Sequence, residues 1–599
     1  MPHLASTLPE PAIESSVAPD DAGPPRVGPL RWVEVAMLAV TAIFIALHFV
    51  HLQADFPNYS EWNDWAKYTD EGWYGDAAIR HYQLGHWYVP GDFNPAVALP
   101  VWPVLELVLF RFTGVGLVAA RALTVAVFAL ALACCYVLLR RWANAGNESR
   151  PRSLAPVTVV LLLAMSPFCF VFTRIAIIEP LLVLEMFAAL LVAASAGEAA
   201  SRNEDAAHRR ILSAAVPWTA LLGLMFPLMV LTKTTALFLF PAILWTLWAA
   251  TGYRWRAWLR LAVPSVALGA AVWGAYYGWF VRPRYLLDYR YLFAANAYTG
   301  FEWSGVGQLL LDAFTDAAWI GRGIFILALV APIGSVALLW AKGLSANPMQ
   351  ATMLIWIAGY AAFLTYHANL QPRYYFVLAP AITTLVVLVL EPLLRSAAQS
   401  LRKSPPPVAD GMDVHLVRGV AAIAAGVLLY AGASAARQTA GLVLHPEYTW
   451  VNAATRLREA VERETAASRA QGGPPRPRLL LSISGSDLSL MTGLPSICDD
   501  FGTLALSDRI AAYKPGWYAA WNAVEDDKME ALAPFYRLQR VMSAPAFDDP
   551  DRNLLILYRL DPIVPASPLP PPGQRRSTLV RRSRRIEMGE QPSAEQLEH

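Results

Sequence analysis

Cysteine is scarce in this sequence and charge is thinly spread. Four cysteines occur among 599 residues, and Cys134 and Cys135 are adjacent inside an apolar run, a spacing that fits neither a metal site nor a disulfide framework. Charged residues make up 16% of the chain, whereas about a quarter is usual in soluble proteins. The formal net charge is only +2, so we do not expect nucleic acid as a partner.

Apolar residues dominate instead. They make up 56% of the chain, and the mean hydropathy is +0.37, which excludes an ordinary soluble protein. Apolar runs of about twenty residues, enough to cross a hydrocarbon core of ~30 Å, occur about eleven times. The predicted spans are 32–52, 115–139, 157–172, 180–196, 211–231, 235–250, 259–280, 318–340, 352–367, 374–394 and 420–436. The sequence therefore predicts a polytopic α-helical membrane protein.

The basic residues predict how the chain is oriented. Lys and Arg are in excess in the loops that follow the second, fourth, sixth, eighth and tenth spans, and short cytoplasmic loops carry such an excess. With that face cytoplasmic, the N-terminus is inside. The loop after the first span and everything after the last span are then outside.

Composition divides the chain into segments. Residues 1–30 are rich in Pro, Ala and acidic side chains and lack the pattern of a cleavable signal, so they are expected to form a disordered cytoplasmic tail. Residues 31–437 form the transmembrane domain, with the first external loop at 53–114. Residues 438–562 alternate helical and strand patterns and are predicted to form a small external α/β domain. The Pro-rich, basic segment 563–599 is again expected to be disordered.

The first external loop concentrates polar and aromatic residues, in the run YTDEGWYGDAAIRHYQLGHWYVPGDFNPAVALPVWP at 68–103. A carboxylate at the membrane surface can act as a general base, and Asp70 is our candidate. Glu71 is expected to pair with a local base such as Arg80, and Tyr74 lies one turn further along. The alternative is an interfacial segment, whose aromatic side chains anchor at headgroup level and whose acids cap a helix.

Three later motifs place charge at the same external level. TRIAIIEP contains Arg174 and Glu179 at the mouth of two spans, and LTKTTALFLFP contains Lys233 among threonines. HANLQPRYYFVLAP contains Arg373 and Tyr374. Cations beside hydroxyl groups suit the oxygens of a phosphate.

The long loop RPRYLLDYRYLFAANAYTG adds Arg282 and Arg284 to this face. Arginines at helix ends often reach out to lipid phosphates, and that is the alternative for each of them. Several separate regions deliver cations and carboxylates to one membrane level, and this convergence indicates a site.

The order of these motifs resembles the GT-C superfamily of membrane glycosyltransferases. The resemblance is carried by DE..Y..AAIR...LGHWY....FNPAVALP, then R....EP, TK and RYY...P, and it covers about 32–394. The groups most similar are the protein O-mannosyltransferases and the bacterial aminoarabinose and related lipid-linked-sugar transferases. The resemblance implies an inner-membrane enzyme with a periplasmic C-terminal domain, which transfers a sugar from a polyprenyl-phosphate donor to a glycan, lipid or protein.

The resemblance also implies residue roles. Asp70 matches the catalytic acid of the first external loop, Glu179 matches the second acid, and Lys233 and Arg373 match contacts to the donor phosphate. The further expected substrate contacts are Glu71, Tyr74, Arg80, Arg282, Arg284 and Tyr374.

The chain departs from the pattern at two positions. The aminoarabinose enzymes carry a Glu-Lys pair where this chain has Asn94-Pro95-Ala96, so a divalent metal is compatible with the sequence but not indicated by it. The second acid is commonly Asp, and Glu179 is one methylene longer. The expected reaction is an inverting displacement with Asp70 as base. The rival interpretations are a polyprenyl-lipid flippase or transporter and, more weakly, a scaffold protein with an external domain.

Overall fold

The computed structural model describes residues 29–144, 153–202, 209–295, 303–343, 347–366, 371–402, 414–473 and 475–563. The predicted tails at 1–30 and 563–599 lie almost entirely outside the described residues.

Helices make up most of the described chain. They are α1 (Pro29–His48), α2 (Asp70–Leu84), α3 (Val101–Thr113), α4 (Leu117–Asn144), α5 (Ala155–Met165), α6 (Pro167–Thr173), α7 (Glu179–Arg202), α8 (Arg209–Thr232), α9 (Phe240–Ala250), α10 (Trp255–Ala275), α11 (Arg282–Arg284), α12 (Leu286–Ala295), α13 (Trp303–Thr315), α14 (Ala317–Ile320), α15 (Phe325–Lys342), α16 (Pro348–Tyr366), α17 (Ala379–Arg402), α18 (Val414–Leu444), α19 (Thr449–Ala470), α20 (Gly485–Thr492), α21 (Leu506–Tyr513) and α22 (Asp526–Leu532). Short 3₁₀ turns occur at Trp65–Lys67, Pro95–Val97, Thr234–Leu239 and Pro372–Val377.

The predicted spans fall on helices. Within the described ranges, nine helical segments are long and apolar enough to cross a membrane. The third predicted span is α5 followed by α6, with a bend of 64° between them. The sixth falls on the shorter helical stretch Thr234–Ala250. The prediction of a polytopic helical membrane protein is confirmed.

The bend between α5 and α6 has a local cause. The Ser166 side chain accepts a hydrogen bond from the Cys169 amide at 3.2 Å, and Pro167 is the first residue of α6. Serine at the N-cap followed by proline is a strong signal for a new helix, because it satisfies one free amide and removes another. One apolar run therefore forms two helices.

The C-terminal part forms a mixed five-stranded sheet. Its strands are β1 (Leu480–Leu481), β2 (Ser496–Ile497), β3 (Trp517–Trp521), β4 (Tyr536–Pro545) and β5 (Leu554–Pro562), in the order β2-β1-β3-β5-β4. β1 pairs in parallel with β2 and β3, whereas β5 is antiparallel to β3 and β4. Helix α19 and the sheet share an apolar core that includes Trp450, Leu480 and Trp517.

The C-terminal domain packs directly on the first loop. Helix α20 crosses α2 at Gly72, where an added Cβ would lie 2.1 Å from the carbonyl carbon of Ser486. Only glycine permits this approach, because any larger side chain would overlap the backbone of α20. The two domains therefore meet on the helix that carries Asp70.

Candidate active site between the first loop and the helix ends

Asp70 and Glu71 are the first two residues of helix α2, but their side chains lie in different surroundings. Both are buried in the first turn of the helix, where the free amides and the helix dipole favour carboxylates. Thr69 donates from its hydroxyl to Asp70 Oδ1 at 3.0 Å. The Arg121 guanidinium donates from Nε to Glu71 Oε2 at 2.7 Å, and the Ala176 amide donates to the same oxygen at 2.9 Å. Glu71 is thus held inside the protein, whereas Asp70 lines a cavity.

Arg373 joins Asp70 to a second acid from the same loop. Its Nη2 lies 2.8 Å from Asp70 Oδ2, and its Nη1 pairs with Asp64 Oδ1. The backbone amide of Arg373 also donates to Asp64 Oδ2 at 2.8 Å. Asp64 in turn accepts from the Ala66 amide at 2.8 Å. The planar guanidinium suits this double contact, so its position is set by both carboxylates.

Glu179 and Lys233 extend the group of charged side chains formed by Asp64, Asp70 and Arg373, which we call the cluster. Glu179 begins α7, and its Oε1 pairs with Lys233 Nζ, directly after the end of α8. Arg373 Nε lies 3.8 Å from the same Glu179 oxygen. Tyr374 stacks its ring beneath both cations, 4.4 Å from Lys233 Nζ and 4.9 Å from the Arg373 guanidinium carbon. Such contacts stabilise cations that have lost most of their water.

The cluster lines a small cavity of about 140 Å³. Its polar lining consists of Asp70, Tyr74, Lys233, Thr234, Thr235, Arg373 and Tyr374. Apolar side chains form the rest, namely Trp73, Phe93, Pro95, Leu99, Ile178, Leu292, Phe293 and Phe363. A cavity with two cations on one wall and apolar side chains on the others suits an amphipathic ligand that carries a phosphate.

The electrostatics of Asp70 suit a base. Burial raises the pKa of the Asp70 carboxyl above its ordinary value, and the Arg373 guanidinium opposes this shift. A raised pKa makes a carboxylate a stronger proton acceptor, and Arg373 still favours the ionised form. Asp70 can therefore accept a proton from a hydroxyl group that enters the cavity.

The structure brings together six of the ten predicted site residues and places the other four elsewhere. Five of the six line the cavity, namely Asp70, Tyr74, Lys233, Arg373 and Tyr374, and the sixth, Glu179, pairs with Lys233.

Glu71 and Arg80 do not form the pair that the sequence suggested. Glu71 binds Arg121, whereas Arg80 binds Asp76 at 2.7 Å and also Asp92. Arg80 lies three turns along α2 and cannot reach the first turn, whereas α4 brings Arg121 alongside it. Glu71 and Arg80 therefore stabilise the first loop through buried ion pairs.

Arg282 and Arg284 form the short helix α11, where both are exposed and lie outside the cavity wall. Asn94 is also buried away from the cavity, and its amide donates to Asp288 Oδ1 at 2.8 Å. Throughout the described ranges, no group of three or more His, Cys, Asp or Glu side chains is arranged to hold a metal ion.

Sequence reasoning missed Asp64 and the hydroxyls beside Asp70. Asp64 lies in the segment EWNDW, between Asn63 and Trp65, and belongs to no recognisable motif. Its position six residues before Asp70 was the available signal, because a second acid near a proposed base often supports a shared cation.

Comparison with solved structures agrees with this fold. ArnT from Cupriavidus metallidurans, bound to undecaprenyl phosphate, is 14% identical with a TM-score of 0.54, and the alignment covers 88% of this chain and 98% of that one. Its apo form gives 15% identity and a TM-score of 0.51, with 88% and 97% covered. The sequence itself matches no protein-family model and no curated protein. The likeness to these two structures confirms the predicted fold.

Proposed function

We propose that this protein is a membrane glycosyltransferase that moves a sugar from a polyprenyl-phosphate donor to a hydroxyl group of a glycan, lipid or protein. The single observation that supports this best is the cavity where Asp70 lies beside Arg373 and Lys233. A base and two phosphate-binding cations around one small space are what such a transfer needs. The undecaprenyl phosphate bound to the ArnT structure of the same fold fits this substrate class.

The proposed reaction is a direct displacement at the anomeric carbon. Asp70 removes the proton from the acceptor hydroxyl, and the oxygen attacks the anomeric carbon from the face opposite the phosphate. The new glycosidic bond forms as the bond to the phosphate oxygen breaks, with inversion. Lys233 and Arg373 stabilise the charge on the departing polyprenyl phosphate, so no acid is needed to protonate it. This differs from inverting glycosidases, which use a second carboxyl group as acid.

Glu179 and Asp64 position the two cations in this mechanism. Lys233 pairs with Glu179, and Arg373 pairs with Asp64 and Asp70. Cations buried without partners would be costly, so the carboxylates keep them charged and in place. A phosphate entering the cavity supplies further charge-assisted hydrogen bonds and releases Asp70 to meet the acceptor.

The proposed orientation follows from loop charge. We place the N-terminus in the cytoplasm and the Asp70 loop, together with the domain at 438–562, in the periplasm of a bacterial inner membrane. The transmembrane domain is proposed at 31–437.

The direct test compares Asp70→Asn with Asp548→Asn, a matched change at an exposed carboxylate of the C-terminal domain. The purified proteins are incubated with radiolabelled polyprenyl-phosphate sugars and a crude envelope acceptor pool. We expect Asp70→Asn to abolish transfer while it retains donor binding, and Asp548→Asn to behave as wild type. Turnover retained in Asp70→Asn would remove Asp70 as the base.

The same preparation tests the rival function. A flippase would move labelled lipid between the leaflets of a proteoliposome without transferring sugar. The charged side chains of the candidate site lie together at helix ends rather than along the length of the spans, and this favours surface chemistry over passage through the membrane. Lipid movement without product would overturn the transferase proposal.

A further inference from the structure

A second large cavity lies among the spans, away from Asp70. It is a groove of about 850 Å³ between α1, α5, α17 and α18. Apolar side chains such as Met37, Phe44, Leu162 and Leu428 form most of its wall. Val40 and Leu429 flank it with 40% and 75% of their surface exposed, so the groove opens sideways into the hydrocarbon region.

The groove continues toward the first loop. Leu162 also lines a narrow neck of about 50 Å³, whose further residues include Pro167 and Gln438. Pro167 and Gln438 in turn line a third cavity, of about 600 Å³, which ends at His445. From Leu428 to His445 the path follows α18 for about 25 Å, at 1.5 Å per residue. Because neighbouring cavities share these lining residues, we infer one path that is apolar along the spans and carries charged side chains at the loop.

The polar end, which we call the mouth, contains one exposed ion pair. Arg322 Nη2 lies 2.9 Å from Glu61 Oε1, with 67% and 51% of the two side chains exposed. Tyr59 and Gln438 line the same space. A solvated ion pair of this kind contributes little to the stability of the fold. Breaking it so that each side chain binds a charged group of a ligand therefore costs little free energy.

The opposite end of the groove is different. Glu391 and Arg395 pair there at 2.7 Å, and Glu391 also accepts from the Ser153 hydroxyl. These residues line the groove itself, whereas the mouth opens on a separate space of about 600 Å³ whose lining includes Glu61 and Arg322. A head group therefore has room at the mouth.

We propose that this path is a binding site for one zwitterionic aminophospholipid of the surrounding membrane. One of its two acyl chains lies in the groove, its phosphate binds Arg322 and its ammonium group binds Glu61. In a bilayer, an apolar groove open to the hydrocarbon region fills with lipid chains, and the mouth adds charges of both signs to select the head group. The site is separate from the proposed donor cavity and does not depend on the transferase reaction.

Two glycines on α18 supply a matched test. Gly432 is buried in the groove wall, where an added Cβ would lie 3.1 Å from Met165 Cε and 3.8 Å from Leu162 Cδ2. Gly426 lies on the same helix but is exposed, with nothing within 4 Å of an added Cβ. Gly432→Leu narrows the groove, and Gly426→Leu adds the same side chain outside it.

The experiment is native mass spectrometry of the full chain released from nanodiscs made of equal parts phosphatidylethanolamine and phosphatidylglycerol. We expect wild type and Gly426→Leu to retain one phosphatidylethanolamine, and Gly432→Leu to retain about tenfold less. Equal retention by the two leucine variants would overturn the proposal. Thermal unfolding of each variant in detergent verifies that the helix packing is intact.

Two charge variants decide the question even where Gly432→Leu does not fold. Glu61→Gln is expected to remove the preference for phosphatidylethanolamine over phosphatidylglycerol, because Glu61 binds the ammonium group that only phosphatidylethanolamine carries. Glu391→Gln, the same change at the opposite end of the groove, should leave the preference unchanged. An unaltered preference in Glu61→Gln, or a loss confined to Glu391→Gln, would contradict the placement of the head group at the mouth.

Discussion

The carboxylate of Asp487, in the C-terminal domain, accepts a hydrogen bond from the backbone amide of Gly72 at 3.0 Å. Gly72 is the third residue of α2, and the side chain of Thr69, at the N-cap, accepts no hydrogen bond from the backbone amides of the first turn. Free amides at a helix start are usually satisfied by a side chain of the same segment. Here a residue from another domain takes that role, on the helix that carries Asp70.

Asp487→Ala is therefore expected to lower turnover without removing donor binding. Loss of an N-cap typically costs ~1 kcal/mol, and we expect kcat to fall by about five- to tenfold because the first turn of α2 loosens. Asp487→Asn keeps an acceptor oxygen and should recover most of the activity. The measurement is kcat and KM for the donor with each variant. Equal losses in the two variants would contradict a positioning role through this hydrogen bond.

The acid limb of the pH profile should report Asp70. Burial raises the pKa of Asp70, and the charge of Asp64 raises it further. Activity depends on ionised Asp70, so kcat/KM should fall as the pH drops through a pKa above the ordinary range for aspartate. Asp64→Asn removes one negative charge and keeps an acceptor for Arg373.

In Asp64→Asn we therefore expect the acid limb to move to lower pH. The comparison is log kcat/KM against pH for wild type and Asp64→Asn, with Asp548→Asn as control. A limb that stays in place in Asp64→Asn would show that the titrating group is not Asp70.

Hydropathy and helix signals account for much of this fold. The apolar runs located the spans because a helix must satisfy its own backbone in a membrane. The break before Pro167 was not foreseen, although Ser166 and Pro167 are a readable helix start. A search for apolar runs of about twenty residues averages hydropathy over the whole run and does not detect a helix break within it.

The candidate site was foreseen only in part, and charge pairing is the reason. Asp70, Glu179, Lys233 and Arg373 converge as expected, since each lies at or beside a helix end on one level. The predicted partner of Glu71 was wrong, because Arg121 is more distant in sequence than Arg80 and its side chain reaches Glu71 only in the folded protein. Asp487 reaches α2 across 415 positions. Local sequence contains no record of such contacts.

Lys233→Met should weaken binding of the donor phosphate directly, whereas a lysine change outside the cavity should not. A hydrogen bond between a buried ammonium group and phosphate contributes about 1.5–3 kcal/mol, which corresponds to roughly ten- to a hundredfold in Kd. The matched control is Lys67→Met, because Lys67 lies over the rings of Tyr68 and Phe547 and outside the cavity wall. Binding of polyprenyl phosphate to the purified protein measures the effect. Similar Kd values for the two variants would argue against a phosphate contact at Lys233.

Asp76 should make the stability of the first loop depend on pH. It is buried between Arg80, at 2.7 Å, and the Ser486 hydroxyl, at 3.2 Å. Burial raises its pKa from 3.8 to about 7, and Arg80 opposes that shift. Between these values the unfolded chain releases the proton and the folded chain keeps it. The folded state therefore loses stability as the pH rises from about 4 to about 7, and changes no further above that.

A shift of about three units corresponds to a change on the order of 4 kcal/mol. Asp76→Asn replaces the neutral carboxyl group with a neutral amide, so its unfolding midpoint should vary less between pH 4 and 7 than that of wild type. Asp526→Asn changes an exposed carboxylate in α22 and serves as the control. Thermal unfolding in detergent at a series of pH values measures the slopes. A slope in Asp76→Asn as steep as in wild type would mean that another group controls this dependence.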